Sequence, residues 1–318
     1  MRVFVAGAAG AVGQHLVPQL VAKGHQVTGT TRSDAGAARV RELGAEPVLV
    51  DGLDGVAIGA AVARAEPEVI INEMTALSKI GSNLRAFDRY FAVTNKLRTT
   101  GNDHLLAAAA ASGVRRFIAQ SYTGWPNIRE GDPVKTEEDP LDPHPPAAQR
   151  ESMAAIEYLE RVVPAARLEG IVLRYGGLYG PGASDPIVDV VRGRKFPMIG
   201  NGAGVWSFVH VSDAAAATVA ALERGAPGCY NIVDDDPAPV AEWLPYLADA
   251  VGARPPLRIP LWLGRLAAGD VAVSWMTQIR GSSNAKAKRE LDWQPAWPSW
   301  REGFKRDLGA AQAVHGAV

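Results

Sequence analysis

The chain is expected to fold as a doubly wound α/β protein, a parallel sheet with helices on both faces, followed by a smaller C-terminal substrate-binding lobe. Three observations predict this. A short apolar strand, residues 3–6, runs into Gly7, Gly10 and Gly13, with an apolar helix behind them. Short β-branched runs then alternate with helical stretches of about ten residues or more, the pattern of parallel strands joined by crossover helices. From about Tyr175 the alternation gives way to glycine-, proline- and tryptophan-rich sequence, and every tryptophan but Trp125 lies between Trp206 and Trp300.

The elements follow in order. The first helix is read over residues 11–23, where Pro18 removes one internal hydrogen bond and should bend it slightly. Gly24 and His25 end it, and residues 26–31 form the second strand. Residues 37–43 are helical, 46–50 form the third strand, and Asp51-Gly52 closes it. A helix over 57–65 leads to the fourth strand, 68–71. The long helical segment 84–112 precedes the fifth strand, 116–120; a helix over 151–163 precedes the sixth, 170–174. Residues 1–174 are thus assigned to the sheet domain and 175–318 mainly to the lobe. The segment 208–234, with its alanine-rich helix and the strand at 230–233, is expected to rejoin the sheet.

Composition narrows the function. With 318 residues, 47% hydrophobic and 21% charged, the chain can bury a sizeable core. A formal net charge of −1 without long runs of one sign offers no surface for nucleic acid or membrane. No apolar run approaches the ~18 residues of a membrane span. Cys229 is the one cysteine, which excludes an intrachain disulfide and a multi-cysteine metal site; it is expected as a small buried residue in a strand. No histidine and carboxylate spacing suggests a metal. The first strand begins at once, without a signal peptide, so a cytoplasmic protein is expected.

A glycine triplet that follows a strand and opens a helix is a phosphate-binding turn. Glycine permits the sharp bend, and the amides around Gly10, Ala11, Val12 and Gly13 can approach a pyrophosphate at the helix N-terminus. Ligands of doubly wound sheets lie beyond the carboxyl ends of the strands, where Gly7, Arg32, Asp51, Met74 and Ser121 fall. At the end of the second strand an unphosphorylated nicotinamide cofactor is usually held by a carboxylate; here the residues are Arg32 and Ser33. A guanidinium suits a phosphate, so NADP(H) is favoured over NAD(H), with Arg39 as a further cation.

Together these landmarks resemble the extended short-chain dehydrogenases/reductases, the NAD(P)-dependent epimerase/dehydratase family with its Rossmann sheet. The resemblance rests on Gly7-x-x-Gly10-x-x-Gly13, the Asp51 turn, the run 101–121, Leu173-Arg-Tyr-Gly-Gly-Leu-Tyr-Gly-Pro-Gly182, Phe208-Val-His-Val-Ser-Asp213 and the tail 284–295. It implies that Asp51 accepts from the adenine amino group, that Gly52, Met74 and Tyr175 line the cofactor, and that Ser121 binds the substrate oxygen. It also implies a homodimer through the helices at 84–112 and 151–163. His210 is expected to be structural.

The family moves its proton with a Tyr assisted by a Lys four residues later, and here that pair is missing. Anchoring on Pro146 gives Ala147 and Glu151; sliding one residue gives Ala148 and Ser152, and sliding two gives Gln149 and Met153. Tyr158 has Val162 four residues on. Candidates for the proton donor are Tyr122, Tyr175, Tyr179, His144 or a water chain. The family's Asn on the long helix falls on Arg98, with Asn95 a turn earlier. Where the family often has a phosphate-binding arginine before Phe-Val-His-Val, the residues are Val205, Trp206 and Ser207; a tryptophan there suits either an apolar or aromatic ligand face or plain packing. The expected function is an NADP(H)-binding atypical short-chain dehydrogenase/reductase. It would reduce, oxidise or epimerise a small-molecule carbonyl or hydroxyl substrate. A non-redox isomerase or cyclase, and an inactive NADP(H) sensor, are the alternatives.

Overall fold

The computed structural model describes residues 1–77 and 84–308. Seven strands form one parallel sheet: β1 (Arg2–Ala6), β2 (Gln26–Thr31), β3 (Glu46–Leu49), β4 (Val69–Asn72), β5 (Arg116–Tyr122), β6 (Glu169–Tyr175) and β7 (Gly228–Ile232). Their spatial order is β3-β2-β1-β4-β5-β6-β7. The winding reverses between β1 and β4, which opens a crevice at their carboxyl ends. The sheet is the doubly wound Rossmann arrangement read from the strand–helix alternation.

Strand alternation sorts the core into two layers. From β1, Val3 and Val5 pack with Leu16, Val17 and Leu20 of α1 (Gly13–Ala22) and with alanines of α8 (Val211–Ala220). Phe4 and Ala6 face the other way, toward α3 (Gly55–Ala65), α5 (Asn102–Ala111) and α6 (Arg150–Val162). Each large side chain so buried stabilises the fold by about 1.5–3 kcal/mol. Helix α2 (Asp34–Glu42) starts at Ser33, whose Oγ accepts the Gly36 amide at 3.1 Å, an N-cap.

The expected helix at 84–112 is a rod of unequal pieces: a 3₁₀ turn (Leu84–Ala86), α4 (Phe87–Lys96), a π turn (Leu97–Gly101) and α5. Helix α1 keeps Pro18 inside it and begins at Gly13, two residues later than read, so Ala11 and Val12 belong to the turn. Strand β5 runs two residues past its expected end, to Tyr122.

Beyond β6, the short strand Gly177–Tyr179 pairs with Phe208–His210, and β7 pairs with β6 at the sheet's edge. Cys229, in β7, is half-buried, and burial pushes its thiol up to about 12. The C-terminal region adds α7 (Asp185–Arg192), α9 (Val240–Ala250) and α10 (Leu261–Thr277), which is broken at Gly269. With α4 and α6 they enclose an aromatic cluster containing Phe87, Phe91, Trp125, Trp206, Trp243 and Trp300. Among the described residues, no helix is long and apolar enough to cross a membrane.

Candidate active site

The crevice between β1 and β4 is floored by the glycine loop. Gly7 has φ +91°, and a Cβ there would lie 2.8 Å from the Glu73 backbone; only glycine lets the loop rest against the end of β4. A Cβ on Gly13 would overlap the Ala8 carbonyl oxygen, so α1 can begin this close to the loop only without a side chain. Gly10 donates to the Gly7 carbonyl at 3.0 Å, whereas the amides of Ala11 and Val12 have no acceptor among the described residues. Free amides at a helix N-terminus are the donor set an oxyanion of a pyrophosphate requires, so the loop fits that group.

Around the loop, Arg32 is exposed at the end of β2 and has no partner among the described residues, while Arg39 stands 3.9 Å from Glu42. Asp51 accepts the Leu53 amide through Oδ1, 3.0 Å. Met74 fills the space over Gly52 and Gly101, where a side chain on Gly52 would collide with its sulfur.

Two expected site residues turn away from the crevice. Tyr175 is 1% exposed, and its hydroxyl donates to Glu73 Oε1 at 2.8 Å and meets Thr218 Oγ1 at 2.6 Å. Its hydroxyl is thus engaged with Glu73, whose backbone lies against Gly7 of the loop. Ser121, read as lying just past the fifth strand, is inside β5. Its hydroxyl donates to Glu160 Oε1 at 2.7 Å, and Arg174 holds both oxygens of that carboxylate at 3.0 and 2.6 Å. Alternation places Ser121 on the face of Phe117 and Ala119, under α6. Glu160 is three turns down α6 from its start, roughly 15 Å at 1.5 Å per residue. In this structure the Ser121 hydroxyl is thus engaged in a buried ion-pair clamp with Glu160 and Arg174.

Glu73 was not singled out by sequence. It is 5% exposed, Oε2 has no partner, and burial pushes its carboxyl up to about 8, despite the Tyr175 hydrogen bond that favours the charged form. A glutamate after an apolar strand carries no signal of such burial.

The three registers for the missing Tyr and Lys separate by burial. Ala147 and Glu151 are exposed. Ser152 is buried but committed to Asp88 and Asn95. Gln149 and Met153 are both buried, with Met153 in the aromatic cluster. Gln149 is 0% exposed, and neither its Oε1 nor its Nε2 has a partner. Tyr158 donates to Asp103 on the outer surface.

Of the proposed donors, His144 is exposed in its loop, and Tyr179 is packed among Phe208, His210 and Phe304. His210 caps α8 and bonds Ser212 and Asp307. Tyr122 ends β5, half-buried, and its hydroxyl has no hydrogen-bond partner among the described residues. Its ring centroid is 6.0 Å from that of Trp125, which stacks on Trp275 at 6.4 Å, and Trp206 meets Trp275 edge-on at 5.7 Å. Between these rings and Ile279 lies a slot of about 10 Å³, the room of one water.

Arg98 sits in the π turn, 4% exposed, with Nε and Nη1 unpartnered. Burial lowers its guanidinium to about 10 against the pull of Glu160 and Tyr122. Burial raises Tyr122 to about 12, and the Arg98 charge opposes that rise.

Comparison with known proteins agrees with this architecture. The model of the NAD dependent epimerase/dehydratase family matches residues 3–232. A 3-diazoavenalumate denitrifying reductase from a Streptomyces species is 41% identical over 315 residues, covering 96% of this chain and all of that protein. A 4-hydroxy-2-methyl-3-oxo-4-farnesyl-3,4-dihydroquinoline-1-oxide ketoreductase from Stigmatella aurantiaca is 27% identical, covering 84% of this chain and 79% of that one. Among solved structures, UDP-glucose 4-epimerase from Thermotoga maritima superposes with a TM-score of 0.76 at 23% identity, over 99% of this chain and all of that one, a likeness of fold. The protein belongs to the NAD-dependent epimerase/dehydratase family, the extended branch of the short-chain dehydrogenases/reductases, whose relatives here are NAD(P)-dependent reductases and epimerases.

Proposed function

We propose that the protein is an NADP(H)-dependent reductase of a small, apolar or aromatic carbonyl compound, using a proton source other than the family's Tyr and Lys. The observation that carries this reading is a fitting phosphate loop; in support, none of the three registers over residues 147–153 offers a Tyr or a Lys, and only Gln149 with Met153 is buried at both positions. Gly7, Gly10, Ala11, Val12 and Gly13 would hold the pyrophosphate. Arg32 would take the extra phosphate, with Ser33, whose O–H remains free to donate while its oxygen caps α2. The second oxygen of Asp51 would accept the adenine amino group, and Gly52 and Met74 would form the wall beside it. When bound, the nicotinamide supplies hydride. The chain's own residues would orient the acceptor, exclude water and deliver a proton; the packed rings of Trp125, Trp206 and Trp275 would supply an apolar wall beside Tyr122. The helices α4–α6 are the proposed face of a homodimer.

A second reading is favoured by the reductase relative, which matches from end to end. Hydride added to the terminal nitrogen of a diazonium-type group gives a diazene, and loss of N₂ leaves hydrogen on carbon. No oxyanion needs protonating, so that step would call for no Tyr and Lys pair.

The test is NADPH binding by fluorescence, then loss of the nicotinamide absorbance with aryl ketones, aldehydes and arenediazonium ions. Turnover of the carbonyls supports the first reading, and turnover of diazonium ions alone the second. No measurable affinity for NADPH or NADH overturns both.

A further inference from the structure

Among the described residues, Arg98 is a buried cation with no ion-pair partner of its own. Both Glu160 oxygens are taken by Arg174 and Ser121, so Arg98, Arg174 and Glu160 together leave one positive charge in the interior. A buried charge of this kind costs several kcal/mol unless something compensates it, and unpaired buried polar groups are rare enough to need a reason. Among the described residues, two such groups lie on elements packed together, Arg98 on the π turn, which packs against α6, and Gln149 immediately before α6; the half-buried Tyr122, whose hydroxyl makes no hydrogen bond there, ends β5, which α6 also packs against.

We propose that the Arg98 guanidinium and the Tyr122 hydroxyl form an oxyanion site that binds the negatively charged oxygen of a small aromatic ligand, with the Gln149 amide as an additional donor. The proposal rests on the reductase reading and names the chemistry of that same site. As a carbonyl carbon gains hydride, the C=O π pair moves onto oxygen; Arg98 holds the resulting alkoxide, the Tyr122 O–H bond breaks to protonate it, and the tyrosinate regains a proton from solvent. Arg98 acts on charge that develops during the reaction, where a preorganised donor in a dry site is most effective.

The probe is 4-nitrophenolate in mildly alkaline buffer, compared with the uncharged 4-nitrotoluene, each titrated into NADP⁺-saturated protein by quenching of tryptophan fluorescence. The expected result is phenolate binding at least ~10-fold tighter than 4-nitrotoluene, a preference abolished in Arg98→Met and partly kept in Arg98→Lys, while 4-nitrotoluene affinity is unchanged. Tyr122→Phe should lower kcat for an aryl ketone by about 100-fold with little change in KM. Equal affinity of the native protein for the two ligands overturns the proposal, as does an equal loss of both in Arg98→Met. The ligand comparison on native protein decides the matter even where Arg98→Met does not fold. NADPH titrated into the same preparation separates the two ideas: bound nucleotide without phenolate preference removes only the oxyanion site, whereas no bound nucleotide removes the reductase reading.

Discussion

Replacing Glu73 with Gln should make the fold less sensitive to alkali. The Glu73 carboxyl rises from its ordinary 4.5 to about 8 because it is buried against the glycine loop. In an unfolded chain it ionises near 4.5, so folding holds a proton the unfolded chain releases. The stabilising effect is complete below pH 4.5 and is lost as pH climbs to about 8. A span of about 3.5 pH units at about 1.4 kcal/mol each amounts to roughly 5 kcal/mol, with about 3 kcal/mol gone by pH 7. Gln is neutral throughout, has the shape of the protonated acid, and keeps an oxygen for the Tyr175 hydroxyl. Asp234, whose carboxyl burial also pushes up to about 8, titrates in both proteins and cancels in the difference. Urea unfolding of nucleotide-free protein at pH 5, 6, 7 and 8 should show Glu73→Gln gaining on the native chain with each step. A difference flat across that range would refute the assignment of a neutral buried acid under the loop.

Other outcomes follow from the same structure. Gly13→Val should abolish detectable NADPH binding, since any Cβ collides with the Ala8 carbonyl; calorimetry checks it, and retained affinity would mean that the loop is not the phosphate cradle. Arg32→Ala should weaken NADPH by ~10-fold or more and NADH hardly at all, and equal effects would show that it does not read the phosphate. Glu160→Ala leaves Arg174 buried and unpaired, so it should cost about 3–5 kcal/mol in chemical denaturation. Ser121→Ala should cost about 1–3 kcal/mol of stability and leave kcat nearly unchanged; a large loss of turnover would return Ser121 to the reacting centre.

The sheet was readable because its signals are local: glycines after a strand, β-branched runs, helical periodicity between them. The interior of the site was not, because it depends on phase. Two extra residues in β5 place Ser121 within the strand and under α6, where alternation aims it at Glu160. Sequence left three registers open for the missing pair, and it could not tell that only Gln149 and Met153 are buried at both positions. It left Arg98 and Asn95 undecided as well; the structure buries both, the Asn95 amide nitrogen tied to Ser152 and Arg98 Nε and Nη1 without a partner among the described residues. Motif spacing reports which positions are neighbours along a helix. Whether a buried charge has found its counter-charge is a property of three dimensions.

The π turn at Leu97–Gly101 lets one rod serve two cores. Ala109 follows Phe91 by about five turns of regular α-helix and would share its side of the cylinder. The wide turn twists the downstream half by roughly a quarter of a circle, so Phe87 and Phe91 enter the aromatic cluster while Leu105, Ala108 and Ala109 lie against the sheet. Removing a single residue from that turn would rotate the two halves back into phase, so that each half could keep its apolar stripe buried only at the expense of the other.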